Sequence, residues 1–263
     1  MDKGSRKHET PRDRAFAVCR VAVIISLVFL PSGCGPTAVK DDPAQRVARL
    51  VANLESADPG TREAAAIELG TLSDERAVKP LISSLGDDSP PVRLAAAKAL
   101  RRIGHIRGFE PVYSLARKST GKMRQALLRD LGRWGAKDTE ADRGVLRKLS
   151  KKAARLEFDD IELKDVMQFI RDVTGVPISV DWRALGEVAI GKTSRINIHL
   201  ANVRCDEILW EIVFALDASG AAAWTVTSGR VSVSSTAQIK KLLADGYEVR
   251  RSATLDTCEQ RTD

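Results

Sequence analysis

Apolar positions between residues 43 and 153 follow the period of an α-helix and recur every 31 residues. Three segments align without gaps: TREAAAIELGTLS from Thr61, VRLAAAKALRRIG from Val92 and MRQALLRDLGRWG from Met123. The stretches between them, DERAVKPLISSL from Asp74 and HIRGFEPVYSLA from His105, align at the same offset. Each unit is therefore predicted to be a pair of helices. One pair cannot bury its apolar face alone, so we expect neighbouring units to stack into a solenoid.

The aligned apolar positions are the predicted core of this solenoid. They are Ala65, Leu69, Leu72, Ala96, Leu100, Ile103, Leu127, Leu131 and Trp134. PAQRVARLVANL, starting at Pro43, extends the repeat by one unit at the beginning, and residues 136–152 are predicted to be a degenerate capping unit. Pro80 and Pro111 occupy equivalent positions and are expected to kink the first helix of their units.

The pattern VRxxAAxALxxIG, followed by a short loop and xRAVxPLIxxL, resembles HEAT-like repeats of the type first associated with phycobilin lyases. The resemblance covers residues 43–153 and implies a helical solenoid that binds another macromolecule. Pigment lyase activity is the enzymatic alternative, and nothing beyond the repeat itself points to it.

After residue 153 the hydrophobic pattern changes to short strands and two amphipathic helices. RLEF ending at Phe158, VPISVD from Val176 and RINIHL from Arg195 are predicted strands, and AAWTVTSGRVSVSS is a predicted hairpin turning at Ser228 and Gly229. The helices are LKDVMQFIRDVTG and CDEILWEIVFALDA. The predicted fold class is therefore α+β multidomain: an α-solenoid followed by a small βαββαββ domain over residues 154–236.

The strand-containing segment resembles the short N-terminal domain of secretins and TonB-dependent proteins. The resemblance rests on a strand ending in an acidic turn, a helix ending at Gly before ISVD, and an E-I-L helix before a W-x-V hairpin. The matching residues are Asp160, Leu163, Val166, Gly175, Val180, Asp181, Ile208, Leu209, Trp224 and Val226. It implies a periplasmic protein-interaction module whose sheet edges either accept a partner strand or are covered by the chain itself. Residues 237–263 show no further core pattern and are expected to form a mobile tail.

The first 33 residues read as an export signal. Six basic residues precede a ten-residue apolar run, Val21 to Leu30, which is half the length that a membrane-spanning helix needs. Ser32, Gly33 and Cys34 then resemble a bacterial lipoprotein signal, although Pro31 stands where an aliphatic residue is expected. The resemblance implies lipidation of Cys34, with residues 34–42 as a linker; ordinary secretory cleavage and an uncleaved anchor are the alternatives.

The formal net charge of +7 is unevenly distributed. Residues 93–155 hold eighteen Lys or Arg against five Asp or Glu, whereas residues 156–236 hold seven against twelve. The basic stretch is compatible with phosphate groups of lipid, lipopolysaccharide or nucleic acid, with an acidic protein, with a solvated helical face, or with docking onto the chain's own acidic region. The candidate anion- or partner-binding residues are Arg93, Arg101, Arg102, Arg124 and Arg133. For Arg62, Arg93 and Arg124, which recur with the repeat, bracing of a loop is the alternative.

Residue types that carry catalysis are sparse. His105 and His199 have no evident convergent partners, and the sequence contains no GxGxxG, Walker, HExxH or GxSxG motif. Cys205 and Cys258 lack metal or redox spacing; they could pair after export, or be a buried thiol and a tail thiol. No catalytic or metal residues and no cofactor are predicted. We expect a noncatalytic envelope lipoprotein that acts as an adaptor for an envelope or secretion-system protein, with nucleic-acid or anionic-lipid binding as the alternative.

Overall fold

The computed structural model describes residues 42–259 except 138 and 218, with side chains described to residue 247. These residues belong to one compact unit, Asp41–Asp263. The predicted signal, the linker up to residue 41 and Cys34 lie outside the described residues. A helical repeat region comes first and a smaller strand-containing region follows, so the α+β class is confirmed.

The repeat region consists of paired helices in the predicted positions. The helices are α1 (Pro43–Asn53), α2 (Pro59–Leu72), α3 (Val78–Ser84), α4 (Pro90–Ile103), α5 (Phe109–Lys118), α6 (Gly121–Gly132) and α7 (Glu140–Leu149). Short 3₁₀ turns, Glu75–Ala77 and Ile106–Gly108, precede α3 and α5.

Second helices of successive units stack directly on one another, α2 on α4 and α4 on α6. Small residues allow the close approach: a β-carbon on Gly70 of α2 would lie 2.8 Å from the Ala99 Cα of α4. All nine predicted core positions are buried except Leu72, which is half-buried. The helical periodicity therefore identified the solenoid core.

Pro80 and Pro111 lie in the first turn of their helices, so they are not placed to kink a helix interior as the sequence predicted. Pro80 is the third residue of α3, and Pro111 is the third residue of α5. In the first turn of a helix the backbone N–H has no intrahelical acceptor, so proline removes nothing there.

The strand-containing region begins where α7 ends. Its elements are β1 (Lys152–Glu162), α8 (Leu163–Thr174), β2 (Ile178–Val180), α9 (Trp182–Gly186), β3 (Arg195–Arg204), α10 (Cys205–Leu216), β4 (Ala222–Thr227), β5 (Arg230–Ser235) and α11 (Thr236–Glu259). β1 and β3 pair antiparallel, with a bulge between Phe158 and Ile161. The other strands have the order β2-β5-β4, with β2 parallel and β4 antiparallel to β5.

The solenoid and the strand-containing region share one core, which we call the joint. The Tyr113 hydroxyl of α5 donates a buried 2.7 Å hydrogen bond to the Ala222 carbonyl of β4. From the other side, Trp210 Nε1 of α10 donates a buried 2.8 Å bond to the Leu128 carbonyl of α6. The rings that contact one another across the joint are Phe109, Tyr113, Trp134, Trp210, Phe214 and Trp224. Aromatic packing of this extent is typical of a domain interior.

Helix α7 is part of the joint and packs on β4 and β5. The fully buried Asp142 carboxylate accepts hydrogen bonds from the backbone N–H of Lys137 at 2.7 Å and of Gly229 at 2.6 Å. Gly229 has a φ of 73°, and a β-carbon there would lie 2.9 Å from the Ala141 β-carbon. The turn therefore needs glycine both for its conformation and for its contact with α7.

The expected tail from residue 237 is corrected by the structure, because residues 236–259 form α11. Ile239 and Leu243 are buried against β4 and β5, and Lys240 forms a 2.6 Å ion pair with Glu110 of α5. Among the described side chains of α11 only this i, i+4 apolar pair is buried, so the sequence offered little periodic signal.

Candidate functional site

Arg62 braces the loop that precedes its own helix. Its Nη1 donates to the carbonyls of Ser56 at 2.8 Å and Ala57 at 3.1 Å. Its other nitrogens donate to both carboxylate oxygens of Asp87 in the next unit, at 2.7 and 2.9 Å. The hydrogen bond from Arg62 holds the pKa of Asp87 below its usual value. This arginine therefore links two repeats.

Arg93, a candidate anion-binding residue, occupies the same place one repeat later. Its Nη1 donates to the carbonyls of Asp87 at 2.6 Å and Asp88 at 3.1 Å, the same offsets along the chain as for Arg62. Arg93 therefore braces the loop that precedes its own helix, which is the alternative to a binding role at this position.

Arg124 has the third equivalent position, but its side chain lies at the joint. Its Nη2 is 3.0 Å from Glu211 Oε1, and its guanidinium lies 4.7 Å from the centre of the Phe214 ring, with both partners on α10. The basic third unit therefore docks onto the acidic strand-containing region, one of the possibilities left open by the charge distribution.

Arg101 and Arg133 are brought together around Asp130. Arg101 Nε lies 3.3 Å from Asp130 Oδ1. Burial raises the pKa of Asp130, and the attraction of Arg101 and other cations opposes that shift. Burial also lowers the pKa of Arg133, against the attraction of Asp130 and of Asp206 on α10. Both arginines thus belong to a half-buried charge network beside α10.

Arg102 has a different environment from the other four candidates. Its side chain is exposed, and it has no hydrogen-bond or ion-pair partner within the described part of the chain. The five candidate arginines therefore do not form a single site: two meet at Asp130, two make separate structural contacts, and Arg102 faces solvent.

An apolar groove crosses α2, α4 and α6 on the face that carries Arg102. We call it the α4 groove; its volume is about 370 Å³. Ile67 of α2, Leu94 of α4 and Met123 of α6 line its wall, with Pro90 and Pro91 at the start of α4. Ile67 is 47% exposed, which is unusual for a large aliphatic side chain in a helix.

Cations border the α4 groove. Lys98 of α4 and Lys122 of α6 line it together with a single acid, Glu63. Arg102 lies one helical turn beyond Lys98 on α4. Among the described residues no ion pair is formed by Lys98 or Lys122, and Lys98 has only a longer-range attraction to Asp130. The groove therefore combines an apolar wall with a net positive rim.

The α4 groove was not predicted from the sequence, although one signal was present. Ile67, Lys98 and Arg129 are equivalent positions, 31 residues apart, on the outward side of the second helices. Ile67 is the only aliphatic residue at these three equivalent positions, and this departure from the repeat is the signal.

A second apolar patch lies on the strand-containing region. Phe169 and Val173, four residues apart on α8, are 40% and 58% exposed, and Ile161 at the end of β1 is 38% exposed. Phe169 packs edge-on against Phe158 with ring centres 5.5 Å apart. This patch lies beside the two-stranded β1–β3 sheet.

The two histidines of the described chain lie apart and have local roles. His105 Nδ1 accepts a 3.1 Å hydrogen bond from the Arg107 N–H and caps a 3₁₀ turn. His199 Nε2 lies 2.9 Å from Asp159 Oδ1 across the β1–β3 pair, with both side chains exposed. Cys205 is buried and unpaired, and burial raises the pKa of its thiol; the side chain of Cys258 lies outside those described.

Within residues 42–259, none of the helices combines the length and the apolar composition needed to cross a membrane. Among the side chains that the structure describes up to residue 247, no three His, Cys, Asp or Glu residues are grouped so that they could hold a metal ion.

Comparison with known proteins supports the repeat region. Residues 47–132 match the family model for HEAT repeats, which spans α1 to α6. No curated protein matches the chain. The helices and this match together establish a HEAT-like solenoid in the first half of the chain.

Proposed function

We propose that this protein is a noncatalytic adaptor of the bacterial envelope, tethered to the membrane through Cys34 and facing the periplasm. The observation that carries the proposal is the joint. Because Tyr113, Trp210 and Trp224 fuse the solenoid to the strand-containing region, the two act as a single rigid support. A support of this kind holds the α4 groove and the α8 patch at fixed positions for partners.

The strand-containing region supports a periplasmic setting through its resemblance to the secretin and TonB short N-terminal domain. The proposal uses the residues on which that resemblance rests. α8 ends at Gly175, which has a φ of 60°, and the ISV segment of β2 follows. The E-I-L segment lies in α10, directly before the β4–β5 hairpin that contains Trp224. By this resemblance the protein would dock onto a secretion or transport apparatus.

The noncatalytic assignment is supported by the environments of the polar groups. His105 caps a turn and His199 pairs with Asp159 on the surface, so neither is directed at a nucleophile. The buried Asp142 is committed to two backbone N–H groups.

Membrane tethering is tested by fractionating cells that express the wild type, Cys34→Ala or Cys19→Ala. We expect Cys34→Ala to leave the membrane fraction, and mass analysis of the wild type to find a lipid-modified Cys34 as the new N-terminus. Cys19→Ala, within the predicted signal, is the matched control and should remain in the membrane. Full-length wild type in the cytosol would contradict the envelope assignment.

The adaptor role is tested by crosslinking in intact cells, where an envelope protein should be recovered with the wild type. Recovery of no envelope protein would contradict it. A second candidate function is binding of nucleic acid or anionic lipid through the solenoid, favoured by the exposed Lys122 and Arg102, which have no ion-pair partner among the described residues. Such binding should weaken steeply with salt, because it would release counterions from phosphates.

A further inference from the structure

The third repeat unit carries a docked helix. Helix α10 lies on α6, and its acids meet the cations of that unit: Glu211 pairs with Arg124, and Glu207 lies within the attraction of Arg129. Trp210 of the same helix is fully buried and bonds to the α6 backbone. Thus α10, which has acids in its first turn and a large apolar surface, is the type of segment that this kind of unit accepts.

The second unit repeats these cations, and no helix of the described part of the chain covers them. Lys98 is equivalent to Arg129, and Arg102 is equivalent to Arg133. In the third unit both equivalents are half-buried beside α10, whereas Lys98 and Arg102 are exposed. Next to them lies the apolar wall of the α4 groove. Among the described residues, the second unit therefore presents exposed cations beside an apolar wall.

We propose that the α4 groove binds an acidic amphipathic helix of a partner protein, with an aliphatic or aromatic side chain against Ile67 and Leu94 and carboxylates at Lys98, Arg102 and Lys122. The proposal rests on the adaptor function and specifies the chemistry of one partner. Helix-in-groove recognition by an apolar anchor with charged flanks is a general mode of peptide binding. The occupant is amphipathic because a purely ionic ligand would leave Ile67 and Met123 in water.

Nucleic acid fits the groove less well than an acidic helix does. A phosphate backbone would use the cations, but it has no apolar group for the wall between Ile67 and Met123. The two classes of ligand therefore differ in their dependence on Ile67.

The test is fluorescence anisotropy with the full chain in mild detergent. The probe is a labelled helical peptide with Asp and Glu in its first turn, a further Glu one turn on, and leucines along one face. We expect saturable binding, weakened about tenfold or more by Ile67→Ser through the lost apolar contact. Lys98→Glu should also weaken it about tenfold, with a smaller effect at high salt.

Matched controls use exposed residues far from the groove in the fold. Ala237→Ser changes an exposed apolar residue of α11, and Lys241→Glu changes an exposed lysine of the same helix. Both should bind the peptide as the wild type does. Peptides with the leucines replaced by serine, or with the acids replaced by lysine, should lose binding. Circular dichroism confirms that each variant retains its helices.

Three results would overturn the proposal. One is absence of saturable peptide binding, and another is binding that Ile67→Ser and Lys98→Glu leave unchanged. The third is tighter binding of duplex DNA than of the peptide, with the DNA affinity lowered by Lys98→Glu and unchanged by Ile67→Ser. That result would assign this face of the solenoid to nucleic acid. If an envelope partner still crosslinks to both groove variants, the groove is not the binding site for that partner. The proposed adaptor function would then stand without the groove.

Discussion

Gly132 at the end of α6 lies directly against the indole ring of Trp224 on β4. A β-carbon at position 132 would overlap the ring carbons, and Trp224 is only 1% exposed, so its ring has no free space to move into. We predict that Gly132→Ala lowers the free energy of unfolding by about 1–3 kcal/mol through overpacking. Urea unfolding followed by tryptophan fluorescence measures it.

Gly144→Ala is the matched control for this prediction. Gly144 is inside α7, and the nearest atom to an added β-carbon would be an Arg147 nitrogen at 4.0 Å. We expect this variant to gain about 0.5–1 kcal/mol from helix propensity. Equal effects of the two substitutions would contradict the contact with Trp224.

The buried bond from Tyr113 to the Ala222 carbonyl should contribute measurably to the stability of the joint. Tyr113→Phe leaves the ring packing in place but removes the only donor described for that link, so we expect a loss of about 1–2 kcal/mol. Tyr247→Phe, which removes an exposed hydroxyl bonded to Glu75, should change stability by less than about 0.5 kcal/mol. Thermal unfolding of both variants tests the difference.

The brace between Arg62 and Asp87 should make stability depend on pH. The hydrogen bond from Arg62 lowers the pKa of Asp87, so the unfolded chain binds a proton more readily than the folded chain does. This contribution is present above the ordinary carboxyl pKa and is lost as the pH falls through the lower folded value. Asp87→Asn should therefore be less stable than wild type at pH 7, and the gap should close below about pH 4. Asp88→Asn, at an exposed neighbouring position, should follow the wild-type profile.

Arg124 and Glu211 should show a coupling energy across the joint. Both side chains are partly exposed, at 28% and 35%, so we expect a double-mutant cycle with alanine to give about 0.5–1 kcal/mol. The coupling should decrease at high salt because screening weakens exposed ion pairs. A value of zero at low salt would mean that the two residues are not paired in solution.

The 31-residue period was enough to predict the helical pairs and most of their core, because equivalent apolar residues must face the same neighbours in every unit. It also predicted that Arg62 and Arg93 occupy equivalent positions. Each of these arginines donates to the backbone carbonyl six residues before it in the chain. The joint could not be predicted in this way. It depends on Tyr113, Trp210 and Trp224, which are far apart in sequence and leave no periodic signal.

The sequence singled out five candidate arginines but could not assign their contacts, and their part in binding stays a prediction. The roles of Arg124 and Arg133 depend on the position of α10, which is a tertiary contact. Arg102 is exposed, unlike its equivalent Arg133, because α10 lies on the third unit and Arg102 belongs to the second. Helix α11 was missed because its described contact with the core rests on Ile239 and Leu243 alone.

Hydrogen–deuterium exchange of the full chain tests most directly the central claim that the solenoid and the strand-containing region form one support. The amides of α6 and of β4 should exchange with the same opening free energy, because Trp210 and Trp224 couple their cores. Gly132→Ala should lower the protection of both segments together. Exchange of β4 through openings that leave α6 protected would contradict the account.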